Sequence, residues 1–264
     1  MPWGTSFNVD DTSKSITLIP SPDITDISEA CTVALSRLIE RAILDDTFKI
    51  IHGQHSEPYP IVGAKCSVSL ERYAAPLFGI ISRGAHLTAY TNTPDGLKIW
   101  VPRRSPHIFT YPDCLDTTVA GGVTAGEGPF ECIVREAAEE ASLDEELVRE
   151  NTKAVGCISY VSHKDAPGGS EKGLISPELI YVFDLELPAG VICKQNDDEV
   201  KEFYLMGVEE VKEKMKRGEF KTNSACVMID FFVRHGVITP EGERDFAEIV
   251  ARLHRRLPLP TGPA

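Results

Sequence analysis

The stretch Gly121–Leu143 reads GGVTAGEGPFECIVREAAEEASL and crowds four glycines and five glutamates into one short window. Its second half opens at Pro129, a residue suited to the first turn of a helix, where a missing N–H costs nothing. Continued as a helix, the segment puts Phe130, Val134, Ala137, Ala138 and Ala141 on a packable side. Glu136, Glu139 and Glu140, three and four residues apart, share another face. Like charges at that spacing destabilise a helix by a few tenths of a kcal/mol per pair, roughly, so the cluster calls for a bound counter-charge. Carboxylate oxygens suit Mg²⁺, a hard ion that joins protein carboxylates to substrate phosphates, with Mn²⁺ a possible substitute. The glycine-rich loop ahead of the helix adds backbone carbonyls and permits close approach.

Working outward, 264 residues with 42% hydrophobic content are ample for a packed core. A net charge of -13 argues against a broad nucleic-acid surface, which needs a concentrated positive footprint. No apolar run of membrane-spanning length appears, so no membrane partner is expected. Seven scattered cysteines, with no C-x-x-C pair, fit a reducing compartment. A cytoplasmic location is expected, with an organelle as the alternative if a targeting segment precedes MPWGTSF.

DISEACTVALSRLIERAIL shows helical periodicity with Asp26 or Ser28 at its N-cap, and the short apolar runs FKIIHG and YPIVGA complete a small α+β module. HLTAYTNTPDGLKIWVPRR reads as a hairpin turning at 94–96. AVGCISYV and ELIYVFDLEL have strand composition, KDAPGGSEKG at 164–173 reads as a flexible loop, and VEEVKEKMKRG and RDFAEIVARLHRRL as helices. The expected division is 1–82, an N-terminal α+β domain; 83–257, an α/β domain; and 258–264, a flexible tail.

Gly121, Glu127, Arg135, Glu136, Ala137, Glu139, Glu140, Ser142 and Leu143 follow G-x5-E-x7-R-E-U-x-E-E-x-G-U, and the stretch resembles the Nudix box. Ser142 stands where that pattern has glycine. The resemblance implies Glu136, Glu139 and Glu140 as metal ligands, the Gly121 carbonyl as a further one, and Glu127 and Arg135 as braces between loop and helix. Over about residues 28–257, segments including WVPRRSPHIFTYPDCLDTTVAGG, GCISY, PELIYVFDLEL and DDEVKEFYLM are similar to the thiamine pyrophosphokinase-related Nudix subgroup. That resemblance implies an α/β/α sandwich with a mixed sheet, preceded by an extra N-terminal domain. It also implies hydrolysis of thiamine diphosphate or its oxidised and damaged analogues, oxo- and oxythiamine diphosphate, to the monophosphate. Relatives carry RRS-x-x-K-x-T-x-P; here Ile108 takes the lysine slot.

Diphosphate hydrolysis needs charge neutralisation and an activated water. Glu139 or Glu140 is a candidate base, and Glu199, in the acidic turn NDDEV, is another. Arg103 and Arg104 close the strand LKIWVP, where a guanidinium can grip phosphate; strand alternation sends them to opposite faces, so one is expected to reach the pocket. Tyr160 is the chosen aromatic contact for the substrate's rings, and Glu178, at the entry to LIYVFDLEL, is a further candidate for the metal shell or the substrate. His235, beside Gly236, reads as a helix end, Cys226 reads as core, and Cys132, one turn before Glu136 on the carboxylate face, is disfavoured as a nucleophile by the nearby negative charge.

The expected partner is a small-molecule diphosphate. ADP-ribose or a nucleotide sugar is the alternative substrate, because the box specifies phosphate chemistry and not the leaving group. A non-catalytic binding module is a further alternative, and an isopentenyl diphosphate isomerase is disfavoured by the surroundings of Cys114 in YPDCLDTT.

Overall fold

The computed structural model describes residues 3–21, 23–52, 57–163, 171 and 173–262. The loop expected at 164–173 lies, apart from 171 and 173, outside the described residues. A hairpin of β1 (Phe7–Asp10) and β2 (Ser15–Leu18) precedes α1 (Ile27–Leu44). Asp26 caps α1, its carboxylate accepting from the backbone N–H of Ser28 at 2.8 Å. Lys49–His52 forms a single 3-10 turn, and a second small hairpin pairs β3 (Pro58–Pro60) with β4 (Ser69–Glu71). A 3-10 segment, Arg72–Phe78, ends at Gly79 with φ of 64°, where the left-handed backbone favours glycine. Leu35, Ile39, Ala42, Ile50, Ile51, Leu70 and Ala74 bury themselves together, so these N-terminal elements own a core.

The large sheet is built from β5 (Ser82–Thr93), β6 (Gly96–Arg104), β7 (Val119–Gly122), β8 (Thr152–His163), β9 (Ile175–Glu186) and β10 (Val200–Gly207). Its order is β10-β6-β5-β9-β8. One half of β5 pairs with β6 through Tyr90–Thr93, and the other half with β7 through Gly84–Leu87. β5 and β9 run parallel and the remaining pairings of the sheet are antiparallel, so the sheet is mixed.

Period-two alternation gives each strand two apolar faces. Ala85, Leu87, Ala89, Trp100, Phe183 and Leu185 turn towards α2 (Pro129–Ala141) and α3 (Glu145–Asn151). Ile99, Val101, Ile158, Ile180, Val182 and Met206 turn towards α4 (Val208–Lys216), α5 (Thr222–Arg234) and α6 (Phe246–Leu253). Helices therefore cover both sides of a mixed sheet, an α/β/α sandwich. Near the C-terminus Leu257 packs with Ile81 and Leu179, and Pro260 lies on Gly63, where an added Cβ would come within 2.5 Å of its ring. A proline-rich composition does not announce such tertiary contacts. Among the described residues no helix is long and apolar enough to cross a membrane.

Candidate active site

α2 starts without a side-chain cap, Gly128 being followed by Pro129 at the first turn. Its packed side consists of Cys132, Ile133, Val134, Ala137 and Ala141, while Ala138 is exposed and Phe130 half-buried. The helix is rotated slightly from the expected face because Cys132 and Ile133 fill the space against the sheet. Fully burying side chains such as Ile133 and Val134 is worth roughly 1.5–3 kcal/mol each. At the far end Ser142 adopts φ of 53° and ψ of 33°, the left-handed geometry that the motif's glycine takes without strain. The exit geometry is thus kept by serine at some cost.

Packing draws two of the three box carboxylates inward. Glu136 lies directly over Gly121: a Cβ there would sit 2.4 Å from Glu136 Oε1. Glycine at 121 is what permits that approach. Glu140 is buried, 7% exposed, and its Oε2 accepts from the Ala120 N–H at 3.1 Å. Glu139, 100° around the helix from Glu140, is exposed and accepts from Arg135 Nη1 at 3.0 Å. The trio expected on one face is therefore a buried Glu140, a part-buried Glu136 and an outward Glu139, and among the described residues no three His, Cys, Asp or Glu side chains are gathered to hold an ion unaided.

Arg135 is the local hub. Its Nε and Nη2 donate to the two oxygens of Glu127 at 3.0 and 3.3 Å, and its Nη1 also lies 3.0 Å from Glu136. Glu127 in turn accepts from the N–H and hydroxyl of Thr124, which ties the glycine-rich loop to the helix. Although burial opposes it, Arg135 holds the Glu127 carboxyl below its ordinary value. The box pair behaves in the opposite way. Burial pushes Glu136 up to about 7, against Arg135 and with repulsion from Glu139 and Glu199. Burial also raises Glu140 well above the carboxylate range, with Glu136, Asp116 and Glu199 adding to it.

The arginines at the end of β6 are both engaged. Arg104 turns inward, where Nη1 donates to Asp116 Oδ2 at 3.0 Å and Nη2 to the Thr110 carbonyl at 3.1 Å. Arg103, on the other face, donates to the Asp113 carbonyl at 2.7 Å and lies 3.6 Å from Glu219. Asp116 also accepts from Lys221 Nζ at 3.2 Å and from the Ser224 hydroxyl, and His86 Nδ1 meets the Thr117 hydroxyl at 2.8 Å. Sequence inspection did not point to this buried polar cluster, because Asp116 and Lys221 lie more than a hundred positions apart and neither has a motif around it.

Glu199 sits just before β10, and its carbonyl accepts from the Ser105 N–H at 2.7 Å. Its charge reaches both Glu136 and Glu140, so the acidic turn is brought to the box. Glu178 and Tyr160 form a pair across β8 and β9: the Tyr160 hydroxyl donates to Glu178 Oε2 at 2.7 Å, and the Ser162 hydroxyl to Oε1 at 3.0 Å. Glu178 stands opposite Ser82 on β5, two strands from β7 and its glycines. His235 ends α5, stacked on Phe231 and bonded to Asp184 at 2.9 Å, a packing role. All seven cysteines are free thiols, and burial raises Cys132 and Cys226, which opposes nucleophilic use.

The NUDIX domain family matches residues 85–226, more than half of the chain and the segment that holds β5, the box and most of the sheet. The chain belongs to the Nudix family. Among its relatives, an uncharacterized protein of Saccharomyces cerevisiae is 38% identical over 234 residues, 86% of this chain and 68% of that protein. Nudix hydrolase 20, chloroplastic, of Arabidopsis thaliana is 35% identical over 211 residues, 78% of this chain and 54% of the plant protein. Nudix hydrolase 24, chloroplastic, of the same plant is 35% identical over 197 residues, 73% of this chain and 52% of its own length. The chain thus spans about half the length of these two plant relatives. The match to the yeast protein covers more of the chain than lies beyond residue 85, so it extends into the N-terminal elements. Nudix hydrolase is the enzyme class of the chain.

The donor set fits the divalent cation that Nudix hydrolases generally use. Glu136 and Glu140 are acceptor-only groups when ionised, one part-buried and one buried, sharing one guanidinium and one backbone N–H between them. A cation is the partner that this arrangement is short of.

Proposed function

We propose that the chain is a Mg²⁺-dependent hydrolase of thiamine diphosphate or its oxidised analogues, oxo- and oxythiamine diphosphate, in the thiamine pyrophosphokinase-related Nudix subgroup. The observation that carries the reading is the pairing of two unlike acidic positions around β5 and β7. Glu136, pressed on Gly121, and Glu140, bonded to the Ala120 N–H, offer oxygens to an ion, and the Gly121 carbonyl is the further ligand of the proposal. Across the strands, Glu178 is held by the hydroxyls of Tyr160 and Ser162, with both of its oxygens oriented. An oriented carboxylate next to a phenol suits an aminopyrimidine or a cationic ring better than a sugar hydroxyl. Mn²⁺ is a possible substitute for Mg²⁺, and a small-molecule diphosphate is the partner.

A bound Mg²⁺ supplies charge neutralisation on the diphosphate oxygens. The chain's own residues do the rest. Glu136 and Glu140 hold the ion, Arg135 and Glu127 fix the loop and helix against each other, and Glu199 or a box glutamate accepts a proton from water. The water oxygen bonds to the terminal phosphorus, the bridging P–O bond breaks, and monophosphate and phosphate leave. Glu139, exposed and paired to Arg135, joins the ion only by releasing that pair. The free thiols fit a reducing cytoplasmic setting, and the plant relatives named chloroplastic keep an organelle open.

The test is product chromatography from thiamine diphosphate, oxo- and oxythiamine diphosphate, ADP-ribose and a nucleotide sugar, with and without Mg²⁺, using Glu140→Gln as control. Strongest Mg²⁺-dependent cleavage on the thiamine compounds supports the reading. Preference for ADP-ribose or the nucleotide sugar replaces the substrate and keeps the chemistry, and inertness on all five favours a binding module.

A further inference from the structure

The N-terminal elements reach the glycine-rich loop and strand that precede the box helix. Pro58 offers its carbonyl to the Ala125 N–H of the glycine-rich loop at 2.8 Å. The Tyr59 ring fills the place that a side chain at Gly122 would occupy, a Cβ there falling 2.1 Å from the Tyr59 hydroxyl oxygen. On the next strand-to-turn junction Arg72 donates to Glu57 Oε2 at 2.8 Å, and its guanidinium carbon lies 5.7 Å from the Tyr59 ring centroid and 5.8 Å from that of Tyr73. Tyr73 packs edge-on to Phe109 at 5.9 Å. Tyr59 feels the charge of Glu136, and Tyr73 that of Glu199. Arg72 therefore lies over two rings, of which Tyr59 packs against the glycine strand beside the box, yet its side chain remains 37% exposed.

A diphosphate carries more negative charge than one divalent ion cancels, so a further cation in the cleft is required. The arginines of β6 are spent on Asp116, Asp113 and Glu219, and the loop 105–113 contains no lysine or arginine of its own. We propose that Arg72, delivered by the N-terminal elements and lying over the rings of Tyr59 and Tyr73, binds the phosphate of the diphosphate substrate, with Glu57 as the counter-ion it leaves when substrate enters. The same contact makes the N-terminal elements part of the substrate cleft rather than an appendage. Planar guanidinium sites lose little conformational freedom on pairing with phosphate, which is the use of the two tyrosine rings.

This inference rests on the diphosphate hydrolase reading, and the experiment separates the two. The full chain and the variants Arg72→Ala, Arg72→Lys and Glu57→Gln are titrated with inorganic pyrophosphate in the presence of Mg²⁺ by calorimetry, alongside KM and kcat for thiamine diphosphate and ADP-ribose. Arg72→Ala is expected to weaken pyrophosphate binding about tenfold or more and to raise KM more than it lowers kcat. Arg72→Lys recovers part of the loss. Glu57→Gln moves the other way, tightening pyrophosphate binding, because a phosphate no longer competes with a carboxylate. A merely structural ion pair predicts that both partners' variants weaken the protein together. Should Arg72→Ala fail to fold, Glu57→Gln and Arg72→Lys decide. Unchanged binding in the Arg72 variants, weaker binding in Glu57→Gln, or no pyrophosphate binding by the wild type overturns the assignment. Turnover with unchanged Arg72 variants sinks this inference and leaves the hydrolase; pyrophosphate binding that needs Arg72, without turnover of any substrate, does the reverse.

Discussion

Asp116 and Glu140 are both buried carboxylates, 3% and 7% exposed, and the chain treats them in opposite ways. Asp116 is met by Arg104, Lys221, the Ser224 hydroxyl and the Thr117 N–H. Despite burial, Lys221 and Arg104 hold its carboxyl well below the usual range. Glu140 is met by one backbone N–H, and burial together with Glu136 drives its carboxyl upward. Burial alone therefore does not mark a functional acid. What marks it is a buried acceptor to which, among the described residues, no cation is bonded, next to a glycine strand that lets a ligand in.

The sharpest way to break this contrast is to neutralise each acid in turn. Asp116→Asn strands Arg104 and Lys221 in the interior, so the urea midpoint is expected to fall by an amount equivalent to about 3–5 kcal/mol. Glu140→Gln removes an acid whose charged form burial disfavours and to which no cation is bonded among the described residues, so stability in metal-free buffer is expected to hold or rise. Its cost appears in turnover instead, on the order of a hundred- to a thousandfold in kcat/KM, measured against the substrate the wild type prefers. Equal stability losses in both variants would erase the distinction between the two sites.

His86 gives a pH handle on the closed site. Burial, with Lys221 and Arg104 nearby, pushes its imidazole down to about 3, against the pull of Asp116. The folded chain thus keeps His86 neutral while the unfolded chain takes up a proton near pH 6.5. Its stabilising effect is complete above that value and is lost as pH falls from about 6.5 towards 3, at up to about 1.4 kcal/mol per pH unit. Urea midpoints between pH 7 and 5 are expected to slope downward in the wild type and less so in His86→Gln; parallel slopes contradict the assignment. The smallest effect belongs to the end of α2. Ser142→Gly relieves a left-handed serine and is expected to raise stability by about 0.5–1 kcal/mol, read from thermal unfolding.

The box was legible because its chemistry is local. Helical spacing brings Glu136 and Glu140 together, and glycine at 121 is required wherever Glu136 presses on the strand. The hairpin turn between β5 and β6 and the cap at Asp26 were legible for the same reason, each being written in adjacent residues. Glu139 was harder: position on a helix wheel groups it with the pair, but 100° of rotation and the pull of Arg135 take it outward. Arg104 looked like a phosphate ligand because its fate depends on Asp116 and Thr110, which no window around β6 reveals. Tyr59 and Arg72 carried no signal at all, since their meaning comes from Gly122 and Phe109, positions reached only after two separate cores pack together.

The most direct test of the open-site claim is the thermal unfolding midpoint of wild type and Glu140→Gln, each in Mg²⁺ and in EDTA. Binding to the native state alone raises the midpoint. The account predicts that Mg²⁺ raises it in the wild type and not in Glu140→Gln, while in EDTA the variant is at least as stable as the wild type. The same Mg²⁺ shift in both proteins, or none in the wild type, would contradict it.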